Sequence, residues 1–149
     1  MNPDQKDAIR SSFALAAPAA DAVATHFYDR LFAADPTLRP LFAHTDMAGQ
    51  RKALMQSLAV VVASLDKLDT IVPAVQALGR RHAGYGVTDK DYATVGAALL
   101  GTFEDLLGDA FTPEAHAAWT AAYMLLAGIM REAAADAALE AEAVEAAAA

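Results

Sequence analysis

Apolar residues recur at steps of three and four along most of this chain, and this spacing restricts its fold more than any other feature. Val23, Phe27 and Leu31 form one such stripe. Proline stands where stripes begin, as at Pro3 and Pro113, which is where helices accept it. No stretch has the two-residue alternation of a half-buried strand. The sequence therefore predicts an all-α domain.

The same signals predict the helix boundaries. The first helix begins at Pro3 and ends before Pro18, and Asp35 with Pro36 begins a short helical turn that closes near Phe42. A polar bend follows over Ala43 to Gly49. Further helices are predicted from Gln50 through Leu54, Leu58, Val61 and Leu65, then through Ile71, Val75, Leu78 and His82, then over about Asp89 to Leu107, and from Pro113 through Trp119, Tyr123, Leu126 and Met130.

Length and composition predict one folded domain over residues 1–132. A chain of 149 residues with 56% hydrophobic and 20% charged side chains can bury one sizeable core. Residues 133–149 are Ala and Glu with little else apolar, so we expect them to extend the last helix as a solvated tail that frays.

Charge and hydropathy limit the partners. No apolar run approaches the roughly 20 residues that span a bilayer, so no membrane contact is expected. Residues 1–10 are too polar to resemble a secretory signal, which makes the cytoplasm the default location. A net charge of −8 without a basic stripe argues against nucleic acid.

The metal-ligating residues are few. The chain has no Cys and four His, so a thiolate metal site is excluded. His82 lies in an apolar stripe, four residues after Leu78 and seven after Val75. Such an imidazole is either a core histidine bonded to a backbone carbonyl or the axial ligand of a haem iron, and spacing alone leaves both open.

Seven short motifs, in order, resemble a known family. They are THFYDRLF at 25–32, DP at 35–36, LF at 41–42, QRKAL at 50–54, LGRRH at 78–82, YATVG at 92–96, and AW at 118–119 with Tyr123. Together they resemble the haem domain of bacterial flavohaemoglobins and single-domain bacterial globins, and residues 78–87 and 111–119 also resemble neuroglobin. The resemblance implies a globin fold of about six to seven helices around one haem b (iron protoporphyrin IX).

The resemblance also implies residue roles. His82 matches the proximal iron ligand, Phe42 the aromatic residue on the haem face, and Tyr28 and Gln50 the distal residues over the bound gas. Leu54, four residues after Gln50, would close the pocket. Leu78, Arg81, Val87, Tyr92 and Val95 are expected at the cofactor. Arg81 would pair with a haem propionate or be an ordinary solvated arginine, and Val87 and Val95 would contact haem or be plain core.

Tyr28 and Gln50 suit a ligand that gains negative charge on binding, as O₂ does. Two donors aimed at such a ligand hold it by charge-assisted hydrogen bonds, whereas CO gains less charge. Taken singly, Tyr28 is more often a half-buried core tyrosine and Gln50 a surface residue at a helix start. Their joint occurrence with His82 favours the distal pair.

Two features leave the mechanism open. Flavohaemoglobins place a Tyr and a Glu behind the proximal His; Tyr92 matches the first, but ungapped counting from Tyr123 puts Ala134 at the second, and Glu132 is about 200° away around the helix. This departure weakens the expectation of strong oxygen activation. His44 follows Phe42 closely enough to touch a haem edge or act as a sixth ligand. The other two histidines, His26 and His116, are expected at the surface.

Three functions are therefore considered. The leading one is a haem protein that binds O₂ reversibly, and CO or NO as well, for storage, delivery or buffering. The alternative is nitric oxide dioxygenation with a separate reductase, because Gly84-x-Gly86 lacks the remaining features of a dinucleotide site. The third is a structural or signalling module without haem. A monomer or a weak homo-oligomer is expected.

Overall fold

The computed structural model describes residues 1–148, and this part of the chain is helical with no strand. The all-α prediction is confirmed. Six α-helices are joined by short turns and 3₁₀ segments. The helices are α1 (Pro3–Ala16), α2 (Ala20–Ala34), α3 (Met47–Ala63), α4 (Val72–Gly84), α5 (Asp89–Leu107) and α6 (Pro113–Ala148), and the 3₁₀ segments are Ala17–Ala19, Pro36–Phe42, Leu68–Ile71 and Gly108–Ala110.

Capping residues explain where several helices begin. The Asn2 side chain accepts from the Gln5 amide at 2.8 Å, and the Gln5 side chain accepts from the Asn2 amide at 2.9 Å. Asp91 in the first turn of α5 likewise accepts from the Thr88 amide at 2.9 Å. Each cap satisfies amides that a helix start leaves without an intrahelical partner. These helices begin within a residue of where their sequence signals place them.

The start of α3 differs from the prediction. The helix begins at Met47, three residues before Gln50, because Asp46 is its N-cap and accepts from the Ala48 amide at 3.2 Å. The amide of Gln50 donates to the Asp46 carbonyl at 2.9 Å. The polar bend expected over Ala43 to Gly49 is therefore shorter, and Gln50 lies inside the first turn of regular helix. At the other end α3 stops at Ala63, so Leu65 is buried beyond it.

The main core lies between α1, α2, α5 and α6. Phe103 packs on Trp119 with ring centroids 4.8 Å apart, and both are almost fully buried. The Trp119 indole donates to Ser12 Oγ at 2.8 Å, and Ser12 in turn donates to the Ala8 carbonyl at 2.7 Å. This chain of bonds satisfies the polar atoms inside an apolar core.

Different neighbours hold α3 and α4. α3 packs on α1 and α2, whereas α4 packs on α6. Only Met55 of α3 is buried, as are only Val75 and Gly79 of α4. The apolar stripes of these two helices therefore remain partly exposed along the space between them, which is unusual for side chains that sequence periodicity assigns to a core.

The last helix continues well past residue 132. α6 extends to Ala148; Ala133 is buried, and residues 138–147 are exposed. The division into a domain over 1–132 and a fraying tail stays a prediction, and position 149 lies outside the described residues. Across residues 1–148, every helix is too short or too polar to cross a membrane.

A charged cluster ties α2 to α5 outside the core. Asp105 accepts from Arg30 Nε at 2.7 Å and lies 2.8 Å from His26 Nε2. The Arg30 hydrogen bond, and then that of His26, lowers the pKa of the Asp105 carboxyl to about 2. A carboxyl whose folded pKa lies below the unfolded value of about 3.9 stabilises the fold above pH ~4 and loses that contribution as pH falls toward 2.

We therefore expect Asp105→Asn to lower stability at neutral pH, and this deficit to shrink progressively below pH ~4. Because the Asp105 side chain is 40% exposed, salt should also reduce the deficit. Urea unfolding of both proteins between pH 7 and pH 2.5 measures it. Asp29→Asn on the same α2 helix is the matched control, since Asp29 is exposed and forms no ion pair within residues 1–148. A deficit that does not vary with pH would contradict the linkage.

Candidate functional site

A cleft of about 320 Å³ separates α3 from α4. Its walls are mainly apolar, and its size falls within the range of small-molecule sites. Leu78 and Arg81, two of the residues expected at the cofactor, line it. The full lining is Ala53, Gln56, Ser57, Val60 and Val61 of α3, Ala74, Val75, Leu78 and Arg81 of α4, and Ile71 before α4.

His82 is partly buried in the last turn of α4, one residue beyond Arg81. Its Nδ1 lies 2.7 Å from the carbonyl oxygen of Leu78, one turn earlier. A carbonyl can only accept, so Nδ1 carries the proton and Nε2 keeps a free lone pair. The backbone bond expected of a core histidine is thus present, and it leaves Nε2 available as a metal ligand.

Tyr28 and Gln50 meet across α2 and α3. Gln50 Nε2 donates to Tyr28 Oη at 3.0 Å, and Tyr28 is 6% exposed. Because the amide donates, the hydroxyl hydrogen of Tyr28 remains free to donate elsewhere. Burial raises the pKa of the Tyr28 hydroxyl, and the bond from Gln50 lowers it by less. The phenol is therefore protonated at neutral pH and able to donate.

Aromatic rings fix the Tyr28 side chain. Phe42 packs edge-on against Tyr28 with ring centroids 5.7 Å apart, and Phe32 lies 5.5 Å from Phe42. Phe27 meets the Tyr28 ring edge-on at 4.9 Å. Such contacts restrict the rotamer of a buried ring. The Tyr28 ring, and with it the hydroxyl oxygen, is thus held in one position.

The other expected cofactor residues fall into two groups. Leu54 and Val95 are partly buried and pack against the main core, on α3 and α5. Val87 lies in the turn after α4, where its amide donates to the His82 carbonyl at 3.1 Å. That bond links the turn directly to His82. Arg81 is exposed at the cleft.

Tyr92 on α5 is buried, with its hydroxyl unpaired among residues 1–148. Burial, and then the charge of Asp89, raises its pKa. Tyr123 donates to the Tyr92 carbonyl at 2.5 Å and packs where Gly96 has no side chain. Glu132 is exposed on α6, and Ala134 is half-buried. A carboxylate therefore does not partner the Tyr92 hydroxyl among residues 1–148.

The remaining histidines lie at the surface. His26 pairs with Asp105, and His116 Nε2 lies 3.2 Å from Glu104. His44 is exposed in the turn that follows Phe42. Contact of His44 with a haem edge, or its binding as a sixth ligand, stays a prediction.

These features fit a flat, mainly apolar cofactor that would take one nitrogen ligand from the protein. The half-exposed stripes of α3 and α4 provide apolar faces, and His82 Nε2 provides one neutral nitrogen ligand. Arg81 provides a cation at the cleft. Across residues 1–148 no group of three or more His, Asp or Glu side chains is placed to hold a metal ion. The donor set suits haem, which brings four nitrogen ligands of its own.

The family model for globins matches residues 25–130 of this chain. The chain belongs to the globin family. A flavohaemoprotein of Vibrio cholerae is 35% identical over 123 residues, which cover 81% of this globin and 31% of the relative. A flavohaemoprotein of Bacillus subtilis is 36% identical over 109 residues, covering 72% and 27%. The globin thus spans about a third of the curated relatives it matches.

Solved structures agree on the fold. A bacterial globin from Campylobacter jejuni superposes with a TM-score of 0.80 at 22% identity, over 91% of this chain and 97% of that one. An engineered carbene transferase, a candidate nitric oxide dioxygenase from Rhodothermus marinus, superposes with a TM-score of 0.84 at 24% identity, over 95% and 99%. At these identities the likeness establishes the globin fold alone.

Sequence reasoning missed two glycines that position the site. A Cβ at Gly79 would lie 2.6 Å from Met130 Cα, and one at Gly96 would lie 2.5 Å from the Tyr123 ring. Both glycines are therefore required for close approach to α6. The available signal was an isolated glycine inside a helical pattern, which costs helix stability unless packing requires it.

Proposed function

We propose that this globin binds haem b and holds O₂ reversibly, with His82 as the axial ligand and Tyr28 as the donor to the bound gas. The hydrogen bond from Gln50 to Tyr28 carries the proposal, because it leaves the Tyr28 hydroxyl hydrogen free and aimed by a fixed partner. The chain has no Cys for thioether attachment, which supports a haem held without a covalent bond, such as haem b.

His82 provides the proximal half of the site. Its Nδ1–H donates to a neutral carbonyl, so the imidazole keeps one orientation and one tautomer. A neutral carbonyl that accepts from Nδ1–H increases electron donation from the imidazole to a bound metal less than a carboxylate would. When bound, haem would supply an iron that takes a diatomic gas.

Tyr28 and Gln50 provide the distal half. Tyr28 is buried and protonated, so it can donate to a ligand that gains negative charge, a bond worth about 1.5–3 kcal/mol. Gln50 donates to the Tyr28 oxygen, which polarises the hydroxyl and restricts its rotation. The main role that we assign to Gln50 is to orient the Tyr28 hydroxyl. Direct contact with the bound gas is its lesser role.

Nitric oxide dioxygenation is the second proposed function. There NO and O₂ combine to nitrate with one electron from a separate reductase. The flavohaemoprotein relatives favour it, and Tyr28 with Gln50 suits it equally. The Tyr92 hydroxyl, unpaired among residues 1–148, weighs against it, because the resemblance to flavohaemoglobins implies a Glu partner for this tyrosine. Storage or delivery of O₂ is therefore placed first.

Absorption spectroscopy tests haem binding and coordination. We expect the ferrous protein without added gas to be five-coordinate, because an amide is a poor ligand for ferrous iron and Gln50 already donates to Tyr28. A broad high-spin spectrum is the expected result. A sharp low-spin ferrous spectrum would contradict it, and His44→Leu would then establish whether His44 is the sixth ligand. A purified protein that cannot take up haem would overturn the proposed function as a whole.

Turnover separates the two functions. The globin is supplied with O₂, NO, NADH and an excess of a generic flavin reductase, and nitrate is measured over many cycles. Reversible binding predicts about one nitrate per haem, after which the rate falls to that of slow re-reduction. Sustained conversion limited only by the supply of NO would favour dioxygenation instead.

A further inference from the structure

Gly79 lies where α4 packs directly against the backbone of α6. A Cβ built on Gly79 would lie 2.6 Å from Met130 Cα and 2.8 Å from its carbonyl carbon, with the carbonyl oxygen nearer still. These are backbone atoms in the middle of α6, so they cannot rotate away as a side chain can. The hydrogen of glycine is therefore what allows the two helices to touch here.

The position of Gly79 links this contact to His82. Gly79 follows Leu78, whose carbonyl accepts from His82 Nδ1, and precedes His82 by three residues in the same helix. Val75, Leu78 and Arg81 of the same helix line the cleft. Around α4, Val75 lies about 40° and His82 about 60° from Gly79, so these residues share one side of the helix. Contact with α6 at Gly79 thus fixes where this side of α4, with His82, lies.

We propose that Gly79 is a positioning residue that sets where α4 holds the His82 imidazole; this rests on the proposed role of His82 as the haem ligand. A Cβ at residue 79 has to move from 2.6 Å to the 3.4 Å of ordinary contact with Met130, which displaces α4 by about 0.8 Å away from α6. That displacement moves His82 and the Leu78 carbonyl together, because both belong to α4. A shift of this size is enough to disturb a coordinated ligand.

Gly84 offers a matched control on the same helix. A Cβ at Gly84 meets no atom within 4 Å, and its backbone is not left-handed. Gly84→Ala therefore gives the same chemical change and a similar gain in helix propensity without the contact. A difference between the two variants reports the contact with α6 and not the loss of a glycine.

The test uses the haem-loaded protein and its iron–histidine stretching band in the ferrous state. We expect Gly79→Ala to shift this band and to release haem roughly ten- to hundredfold faster, the range found when a group that orients a metal ligand is lost. Gly84→Ala should leave both unchanged. Far-ultraviolet circular dichroism of each variant establishes whether the helices are intact.

A second experiment, in the His82→Gly variant, distinguishes a positioning role of Gly79 from a general disturbance of the fold. In His82→Gly supplied with free imidazole, the ligand is not attached to α4, so adding Gly79→Ala should no longer shift the iron–imidazole band. A shift that persists there would overturn the positioning role, as would an unchanged band in Gly79→Ala itself. Loss of helical signal in Gly79→Ala alone would make the contact a requirement for folding and also overturn it. A parent protein without any band that depends on His82 would instead refute the proposed function.

Discussion

We expect the His82→Gly variant to lose haem during purification and to recover it when imidazole is added. The neutral Nε2 of His82 is the axial donor that the site provides, because Nδ1 is committed to the Leu78 carbonyl. Without it the cofactor would be held by the apolar walls alone, and small imidazole can enter the space that glycine leaves. Haem content per chain and the Soret band measure the outcome.

Histidine variants elsewhere provide the controls for this expectation. His44→Gly and His116→Gly should retain haem at the parent level, since both side chains lie at the surface. Stoichiometric haem with an unchanged spectrum in His82→Gly would mean that another residue is the ligand. The apo form should also be less stable than the loaded protein, because a ligand that binds only the folded state stabilises it.

Local signals predicted most helix boundaries. Pro3 and Pro113 begin α1 and α6 as expected, and α5 spans Asp89–Leu107 as predicted, because a capping group or a proline fixes a helix start through bonds within one turn. The predicted start of α3 is wrong for the same kind of reason, because Asp46, which caps the helix, falls within the predicted bend. Alternatives that differ by a few residues are close in energy at helix ends.

Contacts in the site between residues far apart in the sequence are harder to predict. Tyr28 and Gln50 are 22 residues apart, and nothing in helical periodicity brings them within hydrogen-bond distance. Their pairing was expected only from the family resemblance. The direction of the bond, from Gln50 to Tyr28, was not expected, and neither was the contact of Gly79 with Met130. Both depend on how helices cross, which packing decides and sequence spacing does not.

Gln50 is held more firmly than its predicted place, at the start of a helix after a polar bend, would allow. It lies instead within the first turn of α3, with its amide bonded to the Asp46 carbonyl and its side chain bonded to Tyr28. Gln50 and Tyr28 therefore act as one unit, and the effect of replacing either depends on the other.

We expect Tyr28→Phe to release O₂ roughly ten- to hundredfold faster than the parent, because the change removes one charge-assisted hydrogen bond of about 1.5–3 kcal/mol. Phenylalanine keeps the packing against Phe42, so the variant tests the hydroxyl and not the volume of the ring. Gln50→Leu should have a smaller effect, since the Tyr28 hydroxyl remains but is less well oriented. The double variant should resemble Tyr28→Phe alone, because Gln50 acts mainly through the hydroxyl that is already missing.

Stopped-flow O₂ dissociation on the four proteins measures this, with Tyr85→Phe, an exposed tyrosine, as the matched control. A Tyr28→Phe rate within about twofold of the parent would remove Tyr28 as the donor, and strictly additive effects would mean that each side chain contacts the ligand independently.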